Sequence, residues 1–529
     1  MPSSSNTSKT KNESKKAPTF VCEIPLRISP TVGRTLDRRM ESARQVYNAC
    51  LDEAFKRQRL LVENRRYQAA RRMKPGEART VAFSESRKKV GFTDYAIQHH
   101  AVEIRNAVFQ GQLDVHVVQK LGTRAYEAVN RWILNQGGRP RFKGFAQLDT
   151  VEGKSNDAGI RWREDHVEWR GLALPARIDP RDEVVAYGLA HRVKYVRLVR
   201  RRVHGESRFW AQLVLEGIPY RKIDPKTGSF KHPWQQGEVG IDLGPQTVGV
   251  VSAGKAFLRT LCEEVVGHHR VIRRIQRHLD RQRRANNPEN YQLDGRVKPG
   301  PKRWKKSSRM KRAEARLAGL SRREKGHRKT LHGRLANEIL AMGTVIRLEK
   351  IPYRAFQRAY GRSVSIRAPG AFVEILRRKA ESAGGQVIEF PTRTTKLSQT
   401  CQCGMVRKKP LSQRVHSCEC GIEMQRDLYS AFLAWCVNDD GMLHADRARE
   451  RWSGARPLLG AAWSQATEPA SGRLRPSSFG ASPRSQSGSS AEEGTAQAEA
   501  RDVVALRSSE RDGERPGEAA VIPLRTPRL

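Results

Sequence analysis

Negative charge is what this 529-residue sequence most conspicuously lacks: 55 Asp and Glu stand against 99 Lys and Arg, leaving a net charge of +44 and a pI near 10.7. That deficit points to a polyanionic partner, nucleic acid first and a membrane surface second. Long apolar runs are also missing. None reaches the roughly 18 residues a bilayer-spanning helix needs, which excludes a membrane-embedded class. The N-terminal MPSSSNTSKTKNESKK has no apolar core, so it does not read as a secretory signal. The expectation is a soluble cytoplasmic protein, associated with the nucleoid of a prokaryote. Cysteine is sparse, with eight in all. Cys22, Cys50, Cys262 and Cys436 are scattered. In a reducing cytosol the remaining, clustered four read as metal ligands rather than disulfides. There is no internal repeat.

What is present divides along the chain. Residues 1–18 read as a disordered Ser/Lys-rich tail. TFVCEIPLRI (19–28) alternates as a strand. After Pro30 the residues Leu36, Met40, Ala43, Tyr47, Cys50 and Ala54 recur at three- and four-residue steps, one apolar face of a helix. Further helices fill 95–136 and end at Gly137-Gly138. GGRPRFKGF is a basic, aromatic loop. HRVKYVRLVRRR and SRFWAQLVLEG flank His204-Gly205 as a hairpin, and 221–237 reads as a linker. VGIDLGPQTVGVVS (239–252) is a strand, a tight turn and a second strand. Residues 268–334 carry 23 Lys/Arg against 5 Asp/Glu, helical at both ends and interrupted near PENYQLDGRVKPGPK. GTVIRLEKI is a buried strand. PGAFVEILRRKAESAGG is a helix with Pro at its start and Gly at its end. QVIEFPT is a strand and RDLYSAFLAWCV a helix. From about Asp439 the pattern weakens. RARERWSGARPLLGAAW reads as a short helix, and 441–529 as a mostly disordered tail.

Three carboxylates and four thiols carry the chemistry. Phosphodiester hydrolysis needs an activated water and a stabilised leaving oxygen, which two Mg²⁺ ions can supply. Mg²⁺ takes carboxylate oxygens, so distant Asp and Glu residues must converge. Asp242 sits in an apolar strand, where an unpaired carboxylate is costly; Gly240 and Gly244 beside it allow close backbone approach. Its alternative is a strand-end turn residue. Glu349 ends VIRLE, with a surface salt bridge as its alternative. Asp427 opens a helix, with a plain N-cap as its alternative. The order strand-Asp, helix, strand-Glu, helix, strand, helix-Asp is what joins them as catalytic ligands. Cys401, Cys403, Cys418 and Cys420 form two Cys-x-Cys pairs, each followed by glycine and separated by fourteen residues. Four thiolates close a structural Zn²⁺ site; buried or redox-active thiols are the alternative. In the basic segment Arg273, Arg274, Arg277, Lys305 and Lys306 are candidates for nucleic-acid contact, as are Arg141 and Lys143 of the aromatic loop. A solvated helical face is their alternative. Trp304 and Phe142 could stack on bases or pack in a core, with packing preferred.

VGIDLG, RLEKI and CQCG…RVHSCECG…RDLYSA together resemble TnpB, the transposon-encoded RNA-guided nuclease, and the compact type V CRISPR effectors. The resemblance runs from about 19 to 436. It implies a multidomain α/β protein. Its ribonuclease H-like RuvC core would span 237–397 and 426–440, with the basic helical insert 268–334 and a zinc ribbon at 398–425. A β-barrel wedge domain would comprise 19–35 and 138–236, and a helical recognition lobe 36–137. It implies Asp242, Glu349 and Asp427 as ligands of two catalytic Mg²⁺ ions, a nearby Arg426 that touches nucleic acid, and a structural Zn²⁺. It implies a guide RNA and target double-stranded DNA as partners, with a short motif flanking the target read by the protein. The family more often spaces its cysteines Cys-x-x-Cys.

Two other function classes compete. A guided DNA-binding protein could silence without efficient cleavage. A transposase can share the core, but that class orders its carboxylates Asp, Asp, Glu.

Overall fold

The computed structural model describes residues 18–203, 205–351, 353–410 and 412–467. The expected N-terminal tail, except Pro18, and the C-terminal stretch from 468 lie outside the described residues, as does His204 of the expected hairpin turn.

The N-terminal half mixes strands and helices around one core. Strand β1 (Thr19–Pro25) leads into the 34-residue helix α1 (Pro30–Glu63). Ser29 caps α1, accepting from the Val32 amide, and Pro30 opens it, a placement that satisfies an orphan donor and uses the fixed φ of proline. Helices α2 (Arg65–Arg72), α3 (Glu77–Lys89), α4 (Asp94–Ile104) and α5 (Val115–Ile133) follow, with a π-helical turn at 105–109 after α4. Short strands β2 (Thr150–Glu152), β3 (Arg161–Arg163), β4 (His166–Trp169) and β5 (Leu172–Pro175) precede helix α6 (Glu183–Leu189). The hairpin β6 (Val193–Val203) and β7 (Glu206–Glu216) closes this half.

Here the strands form a sheet of order β1-β7-β6-β2 and a second of order β3-β4-β5. The sheets meet where Leu26 bridges Ala176, with the Arg27 amide donating to Pro175 O at 2.8 Å and the Arg177 amide to Pro25 O at 2.7 Å. The expected boundary at 35/36 falls inside α1. A single apolar cluster joins Ile24 of β1, Leu36, Met40 and Cys50 of α1, Val117 and Leu121 of α5, and Trp169, Leu198 and Phe209 of the strands. The helices and strands expected as two domains therefore share a core.

The second half is a five-stranded sheet covered on both faces. Strands β8 (Glu238–Leu243), β9 (Thr247–Ser252) and β10 (Ala256–Thr260) form an antiparallel meander. The basic helices α7 (Val266–Asn286) and α8 (Ser308–Leu340) intervene before β11 (Val345–Glu349). Helices α9 (Tyr353–Arg367) and α10 (Pro369–Ser382) then cross over to β12 (Gln386–Phe390). The strand order is β10-β9-β8-β11-β12, with β11 parallel to both of its neighbours. A four-residue helical turn α11 (Thr392–Thr395) precedes a small hairpin, β13 (Val415–Ser417) and β14 (Glu423–Gln425). Helix α12 (Arg426–Trp435) and helix α13 (Ala445–Thr467) complete the described chain.

Strand alternation sorts the side chains. Val239, Ile241, Leu243, Val248 and Val250 face Ala336, Ile339, Phe372 and Leu376 of α8 and α10. Val251 and Leu258 face α12 and α13 on the other side. At about 25 cal/mol per Å² of apolar surface, these two layers make the sheet the rigid centre of this half.

One expectation is corrected here. The short helix expected at RARERWSGARPLLGAAW is present but longer, running through residues 445–467 as a 23-residue helix, so the mostly disordered tail expected from 441 is corrected over that stretch. Ala448, Ala455, Leu459, Ala462 and Trp463 bury one stripe against the sheet layer. Gly454, Pro457 and Gly460, poor helix formers by propensity, sit within a helix stabilised by that burial, since packing overrides propensity.

Candidate functional site

The three predicted carboxylates come together at one end of the five-stranded sheet. Leu348 lies opposite Ile241 in the parallel pair β8/β11, so the next residues, Asp242 and Glu349, stand level on adjacent strands. Asp427 is the second residue of α12, and α12 lies directly on β8 and β9. Two glycines make that approach possible. A Cβ at Gly240 would stand 2.2 Å from the Ala431 carbonyl oxygen and from the Trp435 amide nitrogen; one at Gly249 would stand 2.8 Å from the Asp427 carbonyl oxygen. Gly249 is also the cross-strand partner of Asp242. The same residue that pairs with one carboxylate thus admits the backbone of another.

Asp427 and Glu349 are each held by hydrogen bonds. Thr247 donates its hydroxyl to Asp427 Oδ2 at 2.9 Å, a buried bond, and Arg426 Nε lies 3.8 Å from Asp427 Oδ1. Thr395 Oγ1 and the Leu397 amide donate to Glu349 Oε1 at 3.2 and 3.4 Å. Burial raises the pKa of Asp242 well above the ordinary carboxylate value, and the charges of Asp427 and Glu349 add to the shift against a smaller opposing pull from Arg426. Burial likewise raises Glu349, against the bonds from Leu397 and Thr395. A buried carboxylate whose ionisation two neighbouring carboxylates oppose belongs to the kind of oxygen donor set a hard divalent cation takes, although, unlike the four cysteines, the three do not bring their ligand atoms within 4.8 Å of one another. The chemistry of these side chains therefore fits Mg²⁺.

Beside them sit the four thiols. The ligand atoms of Cys401, Cys403, Cys418 and Cys420 all lie within 4.8 Å of one another. Cys401 and Cys420 approach to 3.5 Å, as do Cys403 and Cys418. Tetrahedral Zn–S bonds of about 2.3 Å imply sulfur separations of roughly 3.8 Å, so the cluster fits zinc. The short Cys-x-Cys spacing is accommodated by two matching turns. The Gly404 and Gly421 amides donate to the Cys401 and Cys418 carbonyls at 2.9 and 3.0 Å. Both glycines adopt φ near +90°, 91° and 83°, a conformation glycine reaches without strain. Burial pushes the Cys401 thiol up to about 12. At Cys418 burial acts the same way, but hydrogen bonds from the Cys420 amide and the neighbouring thiols outweigh it and hold the group at about 7.

Not every predicted contact residue is offered to a ligand. Arg273, Arg274 and Arg277 are exposed on α7 and line a groove of about 490 Å³ with Arg270, Arg281 and Arg362. Arg141 is exposed and Lys143 half-buried. The Lys143 backbone is pinned to α1 by Asn48 and Arg44 at 2.8–2.9 Å. Lys305 and Lys306 pair with Glu289 at 3.7 Å and Glu314 at 2.9 Å. Arg426, expected to touch nucleic acid, is instead buried and donates to the Pro410 carbonyl at 3.2 Å. Its guanidinium is spent on ribbon backbone and on Asp427. Trp304 packs edge-on against Tyr291 with ring centres 5.9 Å apart. Phe142 meets Phe55 at 6.2 Å but stays 53 % exposed, so packing describes it only in part.

Sequence reasoning missed Thr247, Thr395, Gly249, Arg270, Arg281 and Arg362. Only the arginines left a signal: Arg270, Arg273, Arg274, Arg277 and Arg281 share one helical face by spacing.

Residues 370–433 match the family model described as Cas12f1-like, TNB domain. The resemblance to compact type V effectors therefore holds over that segment, which contains the cysteine cluster and Asp427. No curated protein matches the chain. Among solved structures, the chain is similar to a Cas12f1–sgRNA–target DNA complex at 12 % identity, covering 76 % of this chain and 82 % of that one with a TM-score of 0.43. It is similar to a CRISPR-Cas12f ternary complex at 14 % identity, covering 75 % and 80 %, TM-score 0.25. A mini RNA-guided endonuclease, CRISPR-Cas_phi3, aligns at 10 % identity over 82 % and 93 %, TM-score 0.30. Among the described residues no helix is long and apolar enough to cross a membrane.

Proposed function

We propose that this chain is an RNA-guided DNA endonuclease that binds a guide RNA, recognises a short motif flanking its target and cuts DNA with a single Mg²⁺-dependent site of RuvC type. The observation that carries the reading is the approach of Asp242, Glu349 and Asp427 at one end of the sheet, with Asp427 and the four-cysteine cluster inside the segment that matches the Cas12f1-like TNB model. On this reading the five-stranded sheet with α12 is the ribonuclease H-like core, and the sheets of the N-terminal half belong to the wedge domain.

Two Mg²⁺ ions would activate a water and stabilise the leaving oxygen of the phosphodiester. Asp242, Glu349 and Asp427 would hold them. The protein supplies placement: two carboxylates level on neighbouring strands, and a third on a helix that Gly240 and Gly249 let settle on the sheet. Thr247 keeps Asp427 oriented, and Thr395 does the same for Glu349. Cys401, Cys403, Cys418 and Cys420 would hold a structural Zn²⁺ with no open position. The arginines of α7 and Arg362 would meet phosphates, which position the nucleic acid, while base pairing supplies sequence specificity.

RNA copurified with the protein is sequenced and a matching DNA target offered with Mg²⁺. Cleavage by the wild-type chain that Asp242→Ala abolishes supports the reading. Guided binding without cleavage supports a silencing protein instead, and the absence of any specific RNA overturns the guided reading.

A further inference from the structure

Tyr429 joins the two chemical centres. It lies two residues after Asp427 on α12 and is almost wholly buried. Its hydroxyl oxygen accepts the Gln402 amide at 3.0 Å and lies 3.4 Å from Cys401 Sγ. The amide can only donate, so the single phenolic proton is left to point at the sulfur. A metal-bound Cys401 is a thiolate, which can only accept. The hydrogen bond is thus matched to the loaded form of the ribbon.

The ring is fixed as well. It lies on His416 of β13 with centres 4.2 Å apart and meets Trp452 of α13 edge-on at 5.7 Å. On the other side of Asp427, the Arg426 amide donates to the Arg414 carbonyl at 2.8 Å and its guanidinium to Pro410. Asp427 is therefore bracketed by two residues whose polar groups bond to the cysteine ribbon. Two further bonds anchor the first turn of α12: Gln425 Oε1 accepts the Leu428 amide at 2.8 Å, and Thr247 donates to Asp427.

We propose that Tyr429 is a positioning residue that couples metal in the cysteine ribbon to the carboxylate cluster, so that loading the ribbon sets the affinity of the Asp242–Glu349–Asp427 site for divalent cations. The coupling rests on the reading of those carboxylates as a cation site. Groups that orient metal ligands through a hydrogen bond are worth on the order of ten- to a hundredfold in metal affinity. Here the same bond reaches both ways: it holds Cys401 from outside the zinc sphere and holds the helix that carries Asp427.

The test uses the full chain with Mn²⁺ as a probe of the carboxylate site. Zinc content is measured by elemental analysis, and Mn²⁺ binding by calorimetry and electron paramagnetic resonance. Cleavage, where present, is titrated with Mn²⁺. For Tyr429→Phe the expected result is Mn²⁺ binding weakened about tenfold, with the half-maximal Mn²⁺ concentration for cleavage rising by a similar factor and the rate at saturating Mn²⁺ falling less. Stripping zinc from the wild-type chain with a chelator is a second route, checked by circular dichroism for retained fold, and it should weaken Mn²⁺ binding in the same way. Unchanged Mn²⁺ affinity in both the folded Phe variant and the folded zinc-free protein overturns the coupling and leaves the cation site standing. Absence of saturable Mn²⁺ binding by the wild-type chain, or binding unaltered by Asp242→Asn, removes the cation site itself and the coupling with it.

Discussion

At Asp242 stability and the proposed activity pull in opposite directions. Its carboxyl holds a proton more tightly in the folded chain than in the unfolded one, as does that of Glu349. The folded state gains from that below the ordinary carboxylate range, near pH 4, and loses it as pH rises through the raised folded values. The metal-free protein is therefore expected to lose stability as pH rises above about 4. Asp242→Asn should flatten that slope and raise the thermal midpoint at pH 7 in EDTA, and Mg²⁺ should raise the wild-type midpoint by binding the folded state. A midpoint in EDTA lowered by Asp242→Asn would contradict this. Glu238 gives the opposite sign at the far end of the same strand. Burial opposes its ionisation, but the guanidinium groups of Arg347, Arg451 and Arg447 outweigh it and hold the carboxyl at about 2. Its contribution is present above the ordinary Glu value and is lost as pH falls toward 2. Glu238→Ala strands the buried Arg347, whose other partner is the exposed Asp439, and should cost about 3 kcal/mol in urea unfolding.

At the scale of elements, α12 on the sheet is the decisive contact. Gly240→Ala sets a methyl group against the Ala431 and Trp435 backbone at 2.2 Å. The expected loss is about 3 kcal/mol with a displaced α12, read as a lower urea midpoint; a variant that unfolds like the parent would refute the close packing. Periodicity and short motifs made most elements legible in the sequence. The apolar run around Asp242, the Pro-to-Gly frame of α10 and the Cys-x-Cys-Gly turns all fall where expected. What the sequence hid is tertiary. The sequence shows α13 as a short helix, but the helix contains Pro457 and two glycines, and its full length and packing role emerge only against β10 and α12. It is also tied back by Arg447 and Arg451, which bond Glu238 some 200 residues earlier. Strand β10 is short and carries Arg259, which pairs with Glu338 of α8 at 2.7 Å; nothing local marks that partnership. By resemblance Arg426 is expected to touch nucleic acid beside the proposed catalytic Asp427, whereas the fold turns it inward to the ribbon. Ending the chain at residue 440, the boundary the sequence pattern suggested, removes α13 and exposes the face holding Phe432 and Trp435. Such a truncation is expected to lose cooperative unfolding.

For the whole molecule, charge asymmetry is the governing quantity. An excess of +44 predicts nucleic-acid affinity that falls steeply with salt through release of condensed counterions. The six arginines lining the groove on α7 and α9 have no carboxylate in an ion pair with them among the described residues, unlike Lys305 and Lys306. Replacing Arg273 and Arg277 with alanine should weaken binding across sequences and lower the salt slope by about 2. Replacing Lys305 and Lys306 should do less. Equal effects of the two pairs in a fluorescence binding titration would contradict the assignment of the groove. The central claim is chemical, and one comparison reaches it most directly: Mg²⁺-dependent cleavage of DNA matched to the copurified RNA, by wild type and Asp242→Ala side by side under single-turnover conditions. The carboxylate site predicts cutting by the wild type and a loss on the order of 10³ in the variant; cutting by Asp242→Ala at the wild-type rate would contradict it.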